Sequence, residues 1–560
     1  MFEFLPFGRK KSADPLSGLD AATRWLSELP AGDLHASHDR VVESVARFNQ
    51  QDGPLSAERL EALMHLDQHS RRTQEALCRQ YLLNPRMPRA MESRLWNMVY
   101  AYYWEFTRGY HAFLMDYVAR PAAAAAKPVL PLVTARAMHY FAMGFKWRYF
   151  RFERVDEKSW KRLHNLYRFA EFSGFERVAT ALYPDSDGRD TSCAEQYAQA
   201  LMLDFLHSGS LFPRQMETVS GWLCSWSRTL EFERRYDPGR HGFYVDLGAA
   251  RGARRVRRPV DGDKCRYWGT HGLIALIEQM RGALRAGEIP ARLGLGEDCR
   301  LPACLELLEE VARQWAPTVP RVRRRHERRR AVQMLEVVQG VRDVFSQIKA
   351  DNDSAEEEGD GLSYEEMVDV HLYGFVTKRT QDKRKLPGKP IPQEIPRERW
   401  VMENESLGGY GATVDRTQDD WLRLGRLVGL KPERKSSWQV AVVRRLAQQA
   451  ANLRYVGMEI LAHRALAVTL RAREGHAPTY ATKGADEAGT VHTALGIYVP
   501  AEAGNGPCSL IMEAAEYAAG RVFDMVGGGK PHAVRLTEIL LKGDDWLQVA
   551  LEEPARDRTG

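Results

Sequence analysis

The sequence predicts an α+β multidomain protein: an all-α bundle or helical-repeat region, then an antiparallel β-barrel and a second small β module. Three observations predict it. Apolar residues recur at i, i+3 and i+4 spacing from about Gly18 to Trp315, the period of amphipathic helices. Beyond Pro320 that period gives way to short apolar segments separated by polar turns, as in strands. The chain has 560 residues, too many for one core, since a domain takes roughly 100–200.

The hydrophobic share of 44% and charged share of 28% are those of a soluble globular protein. Net charge is only +6, from 80 Lys+Arg against 74 Asp+Glu, so any basic function is local. The seven cysteines are scattered without C-x-x-C spacing, which predicts reduced thiols in a cytoplasm and neither a zinc site nor a disulfide framework. No run approaches the ~18 consecutive apolar residues of a membrane span. The start, MFEFLPFGRKK, puts its charge after its apolar patch, the reverse of a signal peptide, and residues 1–17 are expected to form a flexible tail.

Helices are expected at Thr23–Leu29, Ser37–Asn49, Ser56–Leu83 and Ala90–Val118. Pro121 and the alanines at 122–126 make a connector. Further helices follow at Val133–Val155, Glu157–Phe172, Phe175–Tyr183, Cys193–Ser208, Arg214–Thr229, Gly272–Ala286 and Ala303–Trp315. Trp160, Leu163, Leu166, Tyr167 and Ala170 mix large and small side chains as in tetratricopeptide-type hairpins, but no clean period of about 34 residues appears. Bundle and repeat array both stay open.

Aromatics are dense at Trp96–Phe113 and His139–Phe152, interleaved with Lys146, Arg148 and Arg151. Bases can stack on such rings. Aromatics at helical spacing are more often core, and nucleic acid is not the expected partner. Two glycine-rich strings fail as phosphate loops: Gly294–Gly296 has no preceding strand, and Gly527–Lys530 is followed by Pro531. No nucleophile elbow, metal-ligand spacing or other catalytic constellation is present, so no enzyme and no cofactor is expected.

The run Arg321–Arg330, RVRRRHERRR, holds seven arginines and leads into the strand-like Met334–Gly340. A polar, charged stretch follows, acidic at Asp351–Asp360 and rich in Pro and Lys up to Arg399, with one short helix near Tyr364–Tyr373. It reads as a disordered insertion at about 345–395. Then come the apolar run Trp400–Met402 and Asn404–Gly411, NESLGGYG, where short polar side chains precede a glycine pair. Strands are expected at Leu422–Leu430, Gln439–Arg445, Tyr455–Leu461 and Leu466–Arg471, near-regular spacing that suggests a closed or nearly closed barrel. A further set spans Val491–Val499, Cys508–Met512, Arg521–Met525, Ala533–Leu541 and Trp546–Leu551.

An RxxxR pair, a strand, an N-x-S-x-x-G turn, an L-x-L-G strand, a VVRR strand and a YVGMEIL strand follow in that order. Together they resemble the PilZ domain, a small β-barrel family that serves as a receptor for cyclic di-GMP. The resemblance covers about Arg321–Arg471 and implies that ligand. It carries the basic motif onto Arg324 and Arg328, with Arg325 and Arg329 as a second register and Arg379 with Arg384 as a rival source. It carries the second motif onto Asn404, Ser406 and Gly409. Arginine forks suit phosphate or a guanine edge, and short polar side chains suit a base. The acidic run Asp351–Asp360 is a candidate to occupy the arginines without ligand, an effect that screening within ~8 Å keeps small.

The expected organisation is therefore a helical region at 18–317, a PilZ-like barrel at 318–475 and a β module at 476–560. The expected function is a cyclic di-GMP effector that signals to a protein partner through the helical region. A scaffold with a degenerate barrel and an RNA-binding protein are the alternatives.

Overall fold

The computed structural model describes residues 14–30, 32–51, 54–184, 190–206, 209–258, 262–318, 327–357, 395–415, 421–450, 452–472, 493–501, 507–527 and 531–553; in the helix at 340–357, side chains are described through 351. The chain forms two compact units, Met1–Val322 and Arg323–Gly560.

The first unit is helical, with α1 (Leu19–Ser27), α2 (Leu34–Gln50), α3 (Ala57–Leu83), α4 (Arg89–Ala119), α5 (Leu130–Phe150), α6 (Glu157–Phe172), α7 (Cys193–Leu206), α8 (Pro213–Trp226), α9 (His271–Arg285) and α10 (Ala303–Trp315). Side-chain caps start several of them: Asp33 accepts from the Ala36 amide at 3.0 Å, and Asp156 from the Ser159 amide at 2.9 Å. Helix lengths run from 9 residues in α1 to 31 in α4, a bundle rather than an array of equal hairpins.

Three features depart from expectation. Phe175–Tyr183 is not a helix: the chain reverses at Gly174, whose φ of +74° suits glycine, and Thr180 bridges Thr191. A small sheet ordered β2-β1-β3, from β1 (Phe243–Asp246), β2 (Arg254–Arg255) and β3 (Cys265–Trp268), lies between α8 and α9. Its strands are too short to leave a periodic signal. Cys299 and Cys304 are joined as a disulfide, against the expectation of reduced thiols; their Cα atoms lie 5.4 Å apart, within bridging range.

The dense aromatics are core. Trp96, Tyr103, Tyr110, Phe113, Tyr140, Phe145, Trp147 and Phe150 are buried in one apolar cluster. The cations between them have structural partners: Lys146 pairs with Glu217 at 2.7 Å, Arg148 with Asp156 at 2.8 Å and Arg151 with Glu92 at 2.7 Å. These rings and charges are not arranged to hold a nucleic-acid strand.

At the centre of this core lies the fully buried carboxylate of Asp67 on α3. It accepts hydrogen bonds from the hydroxyls of Tyr110, Tyr140 and Tyr183 and pairs with buried Arg136 at 3.2 Å. Arg136 also donates from Nε to the Leu182 carbonyl at 2.8 Å. The hub ties α3, α4 and α5 to the segment after α6. Removing one member of a buried pair leaves the other uncompensated, typically about 3–5 kcal/mol. Asp67→Ala is therefore expected to lower the unfolding free energy of the helical unit by about 3–5 kcal/mol, seen as a lower denaturant midpoint by circular dichroism at 222 nm; an unchanged midpoint contradicts this hub.

The second unit contains two closed six-stranded antiparallel barrels. The first uses β4 (Arg329–Gln339), β5 (Glu398–Ser406), β6 (Gly409–Asp415), β7 (Leu427–Pro432), β8 (Gln439–Ala450) and β9 (Leu453–Ala462), ordered β4-β5-β6-β9-β8-β7. The second uses β10 (Leu466–Ala472), β11 (Thr493–Val499), β12 (Ser509–Glu513), β13 (Val522–Val526), β14 (His532–Lys542) and β15 (Trp546–Glu552), ordered β10-β11-β12-β15-β14-β13. Strand for strand, the two connect identically. β10, which the sequence places in the first barrel, pairs with β11 and β13, so the first barrel ends at β9.

One helix joins the barrels. α11 (Gly340–Glu357) leaves the end of β4 inside the stretch read as disordered, and it buries Val341, Val344, Phe345 and Ile348. These side chains share one apolar cluster with Leu427, Trp438 and Val440 of the first barrel and Leu466, Ile497 and Leu510 of the second. An Arg426–Asp545 ion pair at 2.5 Å and a Trp546 Nε1 bond to the Gly425 carbonyl at 2.9 Å reinforce the joint. Among the described residues, no helix is long and apolar enough to cross a membrane.

Candidate functional site

The N-x-S-x-x-G string forms the β5–β6 hairpin. Asn404, Glu405 and Ser406 end β5, Leu407 and Gly408 make the turn, and Gly409 opens β6 opposite Ser406. Ser406 Oγ donates to the Gly409 carbonyl at 3.2 Å and fixes the turn. A Cβ at Gly409 would lie 2.2 Å from the Met458 carbonyl oxygen, so β9 can approach β6 this closely only against a glycine.

Bulges decide which way Asn404 faces. Trp400 and Met402 on the same strand point into the barrel and are buried. Between Met402 and Asn404 the pairing with β6 slips by one residue, so Asn404 stands opposite Gly411 and leaves the inward alternation of Trp400 and Met402. A bulge re-aims a side chain in this way, because strand residues alternate between faces. Asn404 thus lies on the outer face, where its Nδ2 donates to the Tyr455 hydroxyl at 3.4 Å. Both lie over Gly411: a Cβ there would be 2.2 Å from Tyr455 Oη and 2.7 Å from Asn404 Nδ2.

The arginine run arrives at the same place. β4 begins at Arg329, paired with Glu405, and Arg330 pairs directly with Asn404. Another slip follows between Arg330 and Gln333. Arg328, Arg329 and Arg330 are exposed and have no side-chain partner among the described residues. The structure therefore sets Arg329 opposite Glu405, the residue between Asn404 and Ser406, with Arg328 just before it in the chain. Arg324, Arg325, Arg379 and Arg384 lie outside the described residues, as does the short helix expected near Tyr364–Tyr373. Asp351, first of the acidic run, is committed elsewhere: its carboxylate pairs with Lys431 at 2.9 Å and accepts from the Trp438 amide at 2.9 Å, holding α11 to β7 and β8.

The sequence reading missed Arg330, Gly411, Tyr455 and Gly457. Their signal was present as glycines at 409, 411 and 457 in strands otherwise built to pack. What was missing was the register that sets Gly411 against Gly457. Beside the polar row, Val332, Met334 and Val401 form an exposed apolar strip on β4 and β5. The face thus offers cations, an amide, hydroxyls and an apolar shelf. It holds no arrangement of nucleophile and base, and the described residues contain no cluster of metal-ligating side chains. These are the attributes of a recognition surface.

Among the described residues, the second barrel is built differently at the corresponding place. Its matching hairpin, β11–β12, is joined by residues 500–508, PAEAGNGPC, and Gln548 stands opposite Ile511 where the first barrel pairs two glycines.

Fold and face together define a PilZ-type barrel, with its polar hairpin and arginine edge turned outward. Two family models match the chain: the cyclic-di-GMP receptor FimW N-terminal domain over residues 20–238 and the FimW middle PilZ domain over residues 325–466. The chain belongs to this PilZ-containing family with a large N-terminal region. Its models are described as those of a cyclic-di-GMP receptor. No curated relative and no solved structure matches the chain.

The geometry separates the two glycines by consequence. Gly409→Ala meets backbone and is expected to loosen the β6–β9 ladder, lowering the melting temperature of the barrel unit. Gly411→Ala meets only the movable ends of Asn404 and Tyr455, and is expected to displace those side chains with a far smaller melting shift. Equal shifts for the two variants would contradict this assignment.

Proposed function

We propose that the protein is a cyclic di-GMP effector whose ligand lies on the outer face of the first barrel. The observation that carries this reading is the registration of the arginine edge against the hairpin, Arg330 opposite Asn404 and Arg329 opposite Glu405. Cations and a base-reading amide are thereby adjacent on a surface floored by glycine. Arg324 and Arg328 keep their place in the proposal on their RxxxR spacing. Arginine forks suit the two phosphates or the O6 and N7 of guanine, and Asn404 and Ser406 suit the polar edge of a base. The family match, whose members are named as receptors of this ligand, supports the same reading.

Calorimetric titration of cyclic di-GMP into the full-length protein tests it. Wild type is expected to bind saturably. Arg328→Ala and Asn404→Ala are each expected to cost about 1–3 kcal/mol, or roughly one to two decades of affinity. Absence of binding by wild type favours a scaffold role; steep salt-dependent binding of RNA without nucleotide binding favours the RNA reading.

The output is assigned to the helical unit. What supports this is a groove of about 790 Å³ between α4, α6 and the β1–β3 region. Leu114, Met115, Val118, Phe169 and Phe172 line it, with Phe172 left 92% exposed at the end of α6. Arg162, Arg168 and Lys264 stand among them, with no ion-pair partner among the described residues. Glu171, a lining carboxylate, is already occupied by Arg266 and Arg234. Apolar side chains amid spare cations fit an acidic, amphipathic segment of a partner protein. A photo-crosslinking residue at position 172 of the full-length protein is expected to capture a segment of net negative charge, and Arg168→Glu is expected to abolish that product. Crosslinks only to lipid, or only to a second copy, contradict this assignment.

A further inference from the structure

We propose that Arg445 on β8 closes the far side of the ligand face and receives the second guanine of the dinucleotide. The inference rests on the cyclic di-GMP reading and deepens it.

Five registered residues form one continuous row on the outside of the first barrel. Arg330 on β4 pairs with Asn404 on β5, Asn404 with Gly411 on β6, Gly411 with Gly457 on β9, and Gly457 with Arg445 on β8. Four inter-strand steps of ~4.8 Å make a path of about 19 Å measured along the curved wall of the closed barrel. It carries an arginine at each end, side-chain-free positions at its centre, and the amide of Asn404 and hydroxyl of Tyr455 over the middle.

Arg445 is placed there by a bulge. Val443 pairs with Met458 and Arg445 with Gly457, so Arg444 is the extra residue and Arg445 turns outward. This is the third register slip beside one patch, after those at Arg330 and Asn404. The two neighbouring arginines are not equivalent. Arg444 is held by Glu459 through a 2.7 Å ion pair. Arg445 is exposed and has no partner among the described residues; its stem runs beside Gly457, where an added Cβ would lie 3.1 Å from Arg445 Cβ.

The pair of facing glycines gives the second observation. Glycine within a strand weakens it relative to alanine, and such glycines mark close approach of a ligand or another backbone. Gly411 is explained within the protein by the Asn404–Tyr455 contact above it. Gly457 has only the Arg445 stem and the edge of Tyr455 near it, and it leaves a shallow floor between them. The hairpin and β4 arginines serve one half of a two-fold symmetric ligand. A second half extending along the row meets this floor and then the Arg445 guanidinium, which can stack on a base or pair with guanine O6 and N7.

The test is calorimetric titration of cyclic di-GMP into full-length wild type, Arg445→Ala, Arg445→Lys, Arg444→Ala and Gly457→Val, each checked for an unchanged melting temperature. Arg445→Ala is expected to weaken binding roughly tenfold to a hundredfold, Arg445→Lys to recover only part of that, and Arg444→Ala to stay near wild type. Gly457→Val is expected to weaken binding by filling the floor; if it fails to fold, the arginine variants decide alone. Wild-type affinity in Arg445→Ala, an equal loss in Arg444→Ala, or full recovery with lysine overturns the inference while leaving the ligand reading intact. Failure of wild type to bind overturns the ligand reading and this inference with it.

Discussion

Pairing register in a closed barrel is the constraint on which the site depends. Closure satisfies every strand on both sides, so one face of each strand is committed to the core and the other to the surface. A polar side chain at an inward position would be buried among Leu335, Trp400, Met402 and Val456. Single-residue slips at Arg330/Gln333, Met402/Asn404 and Val443/Arg445 avoid that outcome without opening the barrel. Each turns an arginine or asparagine outward at the same level, and Gly411 leaves room for Asn404 and Tyr455 to meet above it. The outward polar face is thus produced by local irregularity in a regular ladder.

The second barrel shows what the same topology does without those devices. Its strands connect in the same order, yet its hairpin has neither the polar string nor the facing glycines. Its conspicuous contacts are with α11, the helix that begins where β4 ends. The strand bearing the arginine edge therefore continues into the helix packed between both barrels. The proposed ligand would therefore meet a strand that runs on into α11, which is anchored by Val344, Phe345 and the Asp351 carboxylate. The helical unit is organised differently, around the buried charge of Asp67 and its three tyrosines.

Much of this was legible in the sequence, for identifiable reasons. Long helices announced themselves by period, and most strands of the second unit lie within a few residues of where alternation and turn residues put them. Asn404, Ser406 and Gly409 were readable because a hairpin keeps its residues adjacent in sequence. Arg330, Tyr455, Gly457 and Arg445 were not, because they meet Asn404 only through register across five strands. β10 was misplaced since nothing local to Leu466–Ala472 says which barrel it closes. The sheet at Phe243–Trp268 was lost among glycines and arginines, and α11 was masked by the acidic residues at its end. Phe175–Tyr183 has apolar residues at helical spacing, yet the left-handed turn at Gly174 reverses the chain before them.

Hydrogen–deuterium exchange of the full-length protein with and without saturating cyclic di-GMP tests the central claim most directly. Strand and hairpin amides slow when a ligand covers and rigidifies them. The account predicts ligand-dependent protection concentrated at the start of β4, in the β5–β6 hairpin and in the facing parts of β8 and β9, with β11–β12 of the second barrel unchanged. Protection confined to the second barrel or to the helical unit, or none at saturation, would contradict it.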